Sequence, residues 1–92
     1  SRFTFIASDY ELPEVITRGN ENEIGGLEIS VCTNPPDGLD KYIKKDYIYW
    51  LSGNFRMSKC TNQLLEFLHS NLKESGDIEL WSLWFGHIQI KR

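Results

Sequence analysis

Few residues in this sequence are of the types that bind metals or act as nucleophiles. Two histidines, His69 and His87, and two cysteines, Cys32 and Cys60, could join a carboxylate in a metal site. A structural zinc site takes about four ligands in short spacings such as C-x-x-C or H-x-x-x-H, and neither spacing occurs. We therefore predict no metal and no cofactor. The cysteines are expected to be buried free thiols, with a disulfide as the alternative that spacing alone cannot establish.

Asp9 and Glu11 are the acids best placed for catalysis, because they follow the first predicted strand. General acid–base chemistry needs two carboxyl groups in different environments, and this spacing does not provide them. The sequence also lacks G-x-S-x-G, a P-loop and a dinucleotide-binding fingerprint. We therefore predict no catalytic residue and expect that the protein is not an enzyme. A small enzyme or ligand-binding domain stays open as an alternative.

One group of basic residues lies close in sequence to aromatic residues. Basic side chains beside aromatic rings are typical of proteins that stack single-stranded nucleic acid. The net charge of −3 disfavours a nucleic-acid partner, and the neighbouring aromatic residues fit core positions. Nucleic-acid binding through Lys41–Lys59 is therefore an alternative function, and its candidate residues are Lys41, Lys44, Lys45, Arg56 and Lys59.

Aromatic residues make up 13% of the 92-residue chain. The combined surface of these large side chains is more than a single helix can cover. Residues 1–40 carry two basic and eight acidic side chains, whereas residues 41–92 carry eight basic and five acidic ones. Tryptophan and tyrosine dominate the hot spots of protein interfaces. This combination favours a non-enzymatic protein–protein interaction module, such as an immunity or regulatory protein, whose partner is another protein or a second copy. The candidate contact residues are Tyr10, Trp50, Trp81 and Trp84.

The elements that must position these residues follow from hydrophobic periodicity. Alternation predicts strands at 3–7 and 27–33, and an apolar run predicts a central strand at 46–52. The leucine-rich stripe predicts a helix at about 61–74, capped by Ser58 or Thr61 and ended by Gly76. The predicted stripe consists of Leu64, Leu65, Phe67, Leu68 and Leu72. The remaining strands are predicted at 78–85 and 87–91, joined by a bulge or a turn.

The predicted fold is a single α+β domain over residues 1–92, with a four- to five-stranded antiparallel or mixed sheet packed on the one main helix. Strand 46–52 is expected to run parallel to strand 78–85 through a right-handed crossover. Trp81 and Trp84 should occupy opposite faces, since their positions differ by an odd number. The sheet face without the helix needs another cover: the Leu12–Ile16 arm, the Leu39–Lys45 turn or a second subunit.

Two segments resemble small uncharacterised bacterial proteins of the low-GC Gram-positive type. They are FTFIASDYELPE at residues 3–14 and IELWSLW at residues 78–84. The resemblance implies a bacterial cytoplasmic protein without assigned activity, similar in size and acidity to the immunity proteins of toxin systems. It carries no functional residues across. No run approaches the roughly 18 apolar residues of a membrane span, so no membrane partner is expected.

Overall fold

The computed structural model describes residues 2–16 and 26–84, without the side chains of 73–75 and 84. The strands in this part of the chain are β1 (Arg2–Ser8), β2 (Glu28–Val31), β3 (Tyr47–Ser52) and β4 (Ile78–Trp84). Helix α1 spans Ser58–Ser75, and a 3-10 turn spans Leu39–Lys41. The predicted α+β class is confirmed. The strand predicted at 87–91 lies outside the described residues.

The four strands form one antiparallel sheet in the order β2-β3-β1-β4. The first strand of the chain is therefore a middle strand, and its Phe5 pairs with Trp50 of β3 and with Trp81 of β4. Because β3 and β4 both run antiparallel to β1, they share one direction, as predicted. They are not neighbours, however, since β1 lies between them. The prediction that β3 is a central strand is confirmed.

Alternation along the strands divides the buried residues into two clusters. The helix-side core contains Ile6 and Tyr49, against which Leu64, Phe67 and Leu68 of α1 pack. The opposite cluster contains Phe5 and Ala7, covered by Leu39 and Ile43 of the loop between β2 and β3. The Leu39–Lys45 turn is thus the element that covers part of the second face. Tyr42 of the same turn is 49% exposed.

Helix α1 begins one turn earlier than its apolar stripe predicts. Met57 occupies the N-cap position without a side-chain hydrogen bond, so the caps predicted at Ser58 or Thr61 are wrong. The Thr61 hydroxyl instead donates to the Phe55 carbonyl at 3.1 Å. Gly76 ends the helix as predicted: its φ is 76°, and its N–H donates to the Leu72 carbonyl at 2.7 Å.

The predicted stripe of α1 is wider than the surface that it buries. Leu64 and Leu68 contact the core as predicted, and Phe67 rather than Leu65 joins them. Leu65 and Leu72 are 57% and 44% exposed, so the expected burial of Leu72 is wrong. No helix among the described residues has the length and apolar character that crossing a membrane requires.

The extended arm of residues 10–16 lies along the outer edge of β2. Val15 and Ile29 exchange two backbone hydrogen bonds of 2.8 Å each. The Val31 N–H donates to the Glu14 carboxylate at 2.8 Å. Pro13 is compatible with this position, because an edge segment leaves some N–H groups unused. The arm therefore covers a sheet edge, not the face opposite the helix.

Candidate protein-interaction surface

The face of the sheet opposite α1 carries a row of aromatic side chains, which we call the aromatic face. It consists of Phe3, Phe5, Trp50, Trp81 and Leu83. Phe5 lies at its centre, fully buried between its two register partners. The rings of Phe5 and Trp50 lie 4.9 Å apart between centroids, and those of Phe3 and Trp50 lie 5.5 Å apart in an edge-to-face arrangement. These separations are typical of favourable aromatic pairs.

Cover on this face is uneven along β1. Ala7 is fully buried beside Leu39 and Ile43, whereas Phe3, four residues earlier on the same face, is only half-buried. Trp50, Trp81 and Leu83 are also half-buried. An open groove of about 560 Å³ adjoins Phe3 and Trp50 and is bordered by Glu28, Ser52 and Phe55. The uncovered end of the face therefore combines aromatic surface with a depression.

Two carboxylates flank the aromatic face. Glu28 is half-buried at the groove, and Glu79 accepts a hydrogen bond of 2.8 Å from the Trp81 indole N–H. In the described strands, Glu28 and Glu79 are the charged residues whose positions share the phase of the aromatic face. Arg2, which also borders the groove, has the other phase and donates through Nε to the Ser82 hydroxyl at 2.7 Å. The face is thus apolar at its centre and acidic at its sides.

The structure brings together two of the four residues predicted as partner contacts, Trp50 and Trp81. Tyr10 lies beyond the other end of β1, where its N–H donates to the Ser8 hydroxyl at 3.1 Å, and it is 59% exposed. Position 84 pairs with Arg2 in an unbroken ladder and so has the opposite phase to Trp81, as predicted. The side chain of Trp84 is among those left undescribed.

Sequence reasoning missed Phe3 and Phe5 as members of this surface. Their alternation is visible in the sequence, and it correctly predicts a strand. Their contact with Trp50 and the pairing of Phe5 with Trp81 depend on β1 lying between β3 and β4. No local pattern shows that order. Phe5 is the residue that joins the two predicted tryptophans into one surface.

The basic residues of the alternative nucleic-acid site are divided between the two ends of β3. Lys41, Lys44 and Lys45 precede the strand, and Arg56 and Lys59 follow it. A strand of this length spans about 20 Å, so the structure does not bring the five side chains together.

Two of these lysines also have partners within the chain. The Lys44 ammonium donates to the Asp40 carbonyl at 2.6 Å. The Lys45 ammonium pairs with Asp9 at 3.0 Å and with Asp77 at 3.2 Å. The hydrogen bond that Lys45 donates to the Asp9 carboxylate is the main cause that raises the Lys45 pKa, against the opposing effect of desolvation. Lys45 therefore links the loop after β1 to the connection between α1 and β4.

The candidate nucleophiles are held in unreactive surroundings. Cys32 and Cys60 are both free thiols, half-buried and fully buried respectively. Burial raises the pKa of each thiol, which keeps it protonated and weakly nucleophilic at neutral pH. Asp9 is occupied by Lys45, while Glu11 and His69 are exposed. Over residues 2–16 and 26–84, no three His, Cys, Asp or Glu side chains form a group that could hold a metal ion.

No protein-family model matches this chain, and the comparisons with curated proteins and with solved structures also found no match. Over its described residues, the chain offers a partly covered aromatic surface with acidic sides, which is suited to burying apolar area against another surface.

Proposed function

We propose that this protein is a non-enzymatic protein–protein interaction module and that the aromatic face is its binding surface. The observation that carries the proposal is the arrangement of Trp50 and Trp81, both half-buried, on either side of the fully buried Phe5. Tryptophan is the residue type most enriched among interface hot spots. The Trp50 ring already packs against Phe5, so it loses little conformational freedom on binding.

The acidic sides of the face indicate the chemistry of the partner. Glu28 and Glu79 flank the apolar centre, so a partner that is apolar in the middle and basic at the rim would match it in both respects. A second acidic surface would be repelled. We therefore propose a basic partner protein, bound in an immunity or regulatory role. The bacterial origin and cytoplasmic location expected from the sequence resemblance belong to the same proposal.

Affinity capture followed by quantitative binding tests this proposal. Proteins retained by the parent chain are identified, and their binding is then measured against Trp50→Ala and Trp81→Ala. Loss of a hot-spot ring costs about 2 kcal/mol or more, which corresponds to a roughly 30-fold weaker Kd. Tyr10→Ala is the matched control, because it removes a 59% exposed aromatic ring away from the face and should leave Kd unchanged.

A rim variant keeps the test decisive if loss of a tryptophan unfolds the domain. Glu28→Arg changes the charge at the groove without removing an aromatic ring, and it should weaken binding most strongly at low salt. Circular dichroism establishes that each variant is folded. The proposal is overturned by partners that bind the tryptophan and Glu28 variants as tightly as the parent, or by a failure to retain any basic protein.

A further inference from the structure

The two outer edges of the sheet are protected very differently in the described part of the chain. The short edge strand β2 is covered by the arm through the Val15–Ile29 hydrogen bonds and the Glu14 carboxylate. The seven-residue edge strand β4 pairs with β1 on one side, and no described residue pairs with it on the other. A long, apolar edge strand is a ready template for pairing with another strand.

The hydrogen-bonding phase of the sheet identifies the backbone groups of β4 that face outward. The backbone N–H and C=O groups of successive residues point to opposite sides of a strand. Those of Ile29 bond to the arm, so those of its neighbour Ser30 point the other way, to Trp50 of β3. The same rule then applies to each following strand of the sheet. Tyr49 and Leu51 therefore face β1, and Phe3, Phe5 and Ala7 face β4. The hydrogen bond from the Thr4 hydroxyl to the Leu51 carbonyl agrees with this phase.

The same alternation shows which backbone groups of β4 point inward to β1 and which point outward. Trp81 pairs with Phe5, and Leu83 pairs with Phe3. Both direct their N–H and C=O groups inward to β1. Leu80 and Ser82 consequently direct theirs outward, together with positions 78 and 84 at the strand ends. Leu80 also has a 54% exposed side chain, and Glu79, the one charged residue of the strand, is held by the Trp81 indole. Among residues 2–16 and 26–84, nothing on the outward edge of β4 provides one of the usual deterrents to pairing.

We propose that the outer edge of β4 pairs with β4 of a second copy of this chain, antiparallel and about a two-fold axis at Trp81. This register places Leu80 opposite Ser82 of the second copy and Ile78 opposite its position 84, so that all outward backbone groups of β4 are used. Each such pair exchanges two hydrogen bonds. The four-stranded sheet of each copy becomes half of one continuous sheet of eight strands.

Three features of the strand favour a second copy as the occupant. Glu79 lies opposite Leu83 of the other copy, so no like charges face each other across the new ladder. Trp81 lies opposite its own symmetry mate in a close, non-hydrogen-bonded pair, the arrangement in which cross-strand aromatic rings contact best. Leu80 of the second copy arrives beside Ser82, at an apolar cleft of about 220 Å³ that is lined by Phe55 and Leu64.

This inference does not rest on the proposed function, because its evidence is the outward backbone edge of β4; Trp81 belongs to both surfaces. Amide hydrogen exchange on the parent chain tests it at low and high micromolar concentration, with sedimentation to give the mass. We expect the Leu80 and Ser82 amides to gain protection as the mass doubles. The Trp81 and Leu83 amides are the internal reference, protected at both concentrations because they bond to β1.

Two outcomes would overturn the proposal. Leu80 and Ser82 amides that exchange freely at every concentration would mean that the edge is open. Protection of these amides at the monomer mass would mean that the edge is occupied within one chain.

A matched pair of variants separates the contribution of the Leu80 backbone N–H to dimerisation from that of the Leu80 side chain. Leu80→Pro removes an outward N–H that β1 does not use, so the monomer should fold but not dimerise. Leu80→Ala removes the same side chain and keeps the N–H, so it should still dimerise. Equal dimerisation of the two folded variants contradicts the proposed ladder. If Leu80→Pro does not fold, the exchange pattern of the parent chain decides alone.

Discussion

The backbone N–H of Leu12 donates to the phenol oxygen of Tyr49 across 2.7 Å, and both residues are buried. Tyr49 belongs to the central strand β3, whereas Leu12 belongs to the arm that covers the edge of β2. One side chain of the core thus fixes the start of the segment that protects the sheet edge. From Leu12 the arm continues to Glu14, which accepts from the Val31 N–H, and to Val15, which pairs with Ile29.

Tyr49→Phe should destabilise the fold at neutral pH, because it leaves a buried N–H without its acceptor. The expected cost is about 1–3 kcal/mol in the free energy of unfolding, measured by urea denaturation. Tyr42→Phe is the control, since Tyr42 is 49% exposed and its loss should change little. An unchanged stability in Tyr49→Phe would mean that the Leu12 N–H has another partner.

The same tyrosine should contribute to loss of stability at high pH. Burial raises the Tyr49 pKa above its ordinary value of about 10, and the Leu12 hydrogen bond only partly opposes this effect. Below about pH 10, the Tyr49 phenol is protonated in both the folded and the unfolded chain. As pH rises further, the phenol ionises first in the unfolded chain, which favours unfolding. Stability should therefore fall more steeply with pH above about 10 in the parent chain than in Tyr49→Phe.

Leu68→Ala should destabilise the domain by about 2 kcal/mol, near the lower end for leucine truncation, because the side chain is partly and not fully buried. Leu65→Ala on the same helix removes an identical side chain that is 57% exposed, and it should change the free energy of unfolding by less than about 0.5 kcal/mol. Thermal and urea unfolding of both variants measure the difference. Equal effects would contradict the position of the helix on the sheet.

Gly53→Ala should destabilise the fold through direct overlap. A methyl group at Gly53 would lie 2.6 Å from the Cys60 sulfur and 3.2 Å from the Leu27 Cα atom. Overpacking of this kind costs about 1–3 kcal/mol. In a Cys60→Ala background the closest of these contacts is gone, so the same change should cost less. A double-mutant cycle measures this coupling, and strict additivity would show that the Cys60 sulfur does not oppose the methyl group.

Glu14→Ala should expose the edge of β2 while leaving the core intact. The variant removes the acceptor of the Val31 N–H, so amide exchange at Val31 should become faster, with little change at Ser30, which faces β3. Glu14→Gln keeps an oxygen acceptor and should behave nearly as the parent. If Val31 exchanges equally slowly in Glu14→Ala, the carboxylate does not protect this edge.

Local patterns predicted the elements well and their arrangement only in part: β3 is central and runs in the same direction as β4, but the position of β1 between them was not predicted. Alternation at Phe3, Phe5 and Ala7, the leucines of α1 and the glycine at position 76 each report on residues near them in the chain, and the elements that they predict are present. The burial of Leu72 and the cap at Ser58 or Thr61 failed for the same reason. The burial of Leu72 depends on how far the sheet extends beneath α1. The cap depends on the path of the chain that enters the helix. Tertiary structure determines both.

The candidate site shows the same division. Residue type alone singled out Trp50 and Trp81, but Tyr10 has the same character and lies away from the aromatic face. The difference between them comes from Phe5, whose two pairings bring distant tryptophans together. The grouping of five basic residues failed to form one patch because a strand lies between its members, a separation that closeness in sequence conceals.

The position of β1 between β3 and β4 also bears on the time course of folding. Every pairing of β1 joins residues that are far apart in the chain, and the sheet cannot be completed by contacts between successive strands. Closing such long loops costs entropy before the pairing stabilises them, which slows folding relative to a protein built from local contacts. Before β1 has paired, its apolar residues Phe3, Phe5 and Ile6 are not covered by β3 and β4. The partly folded chain is therefore most prone to aggregation at this stage.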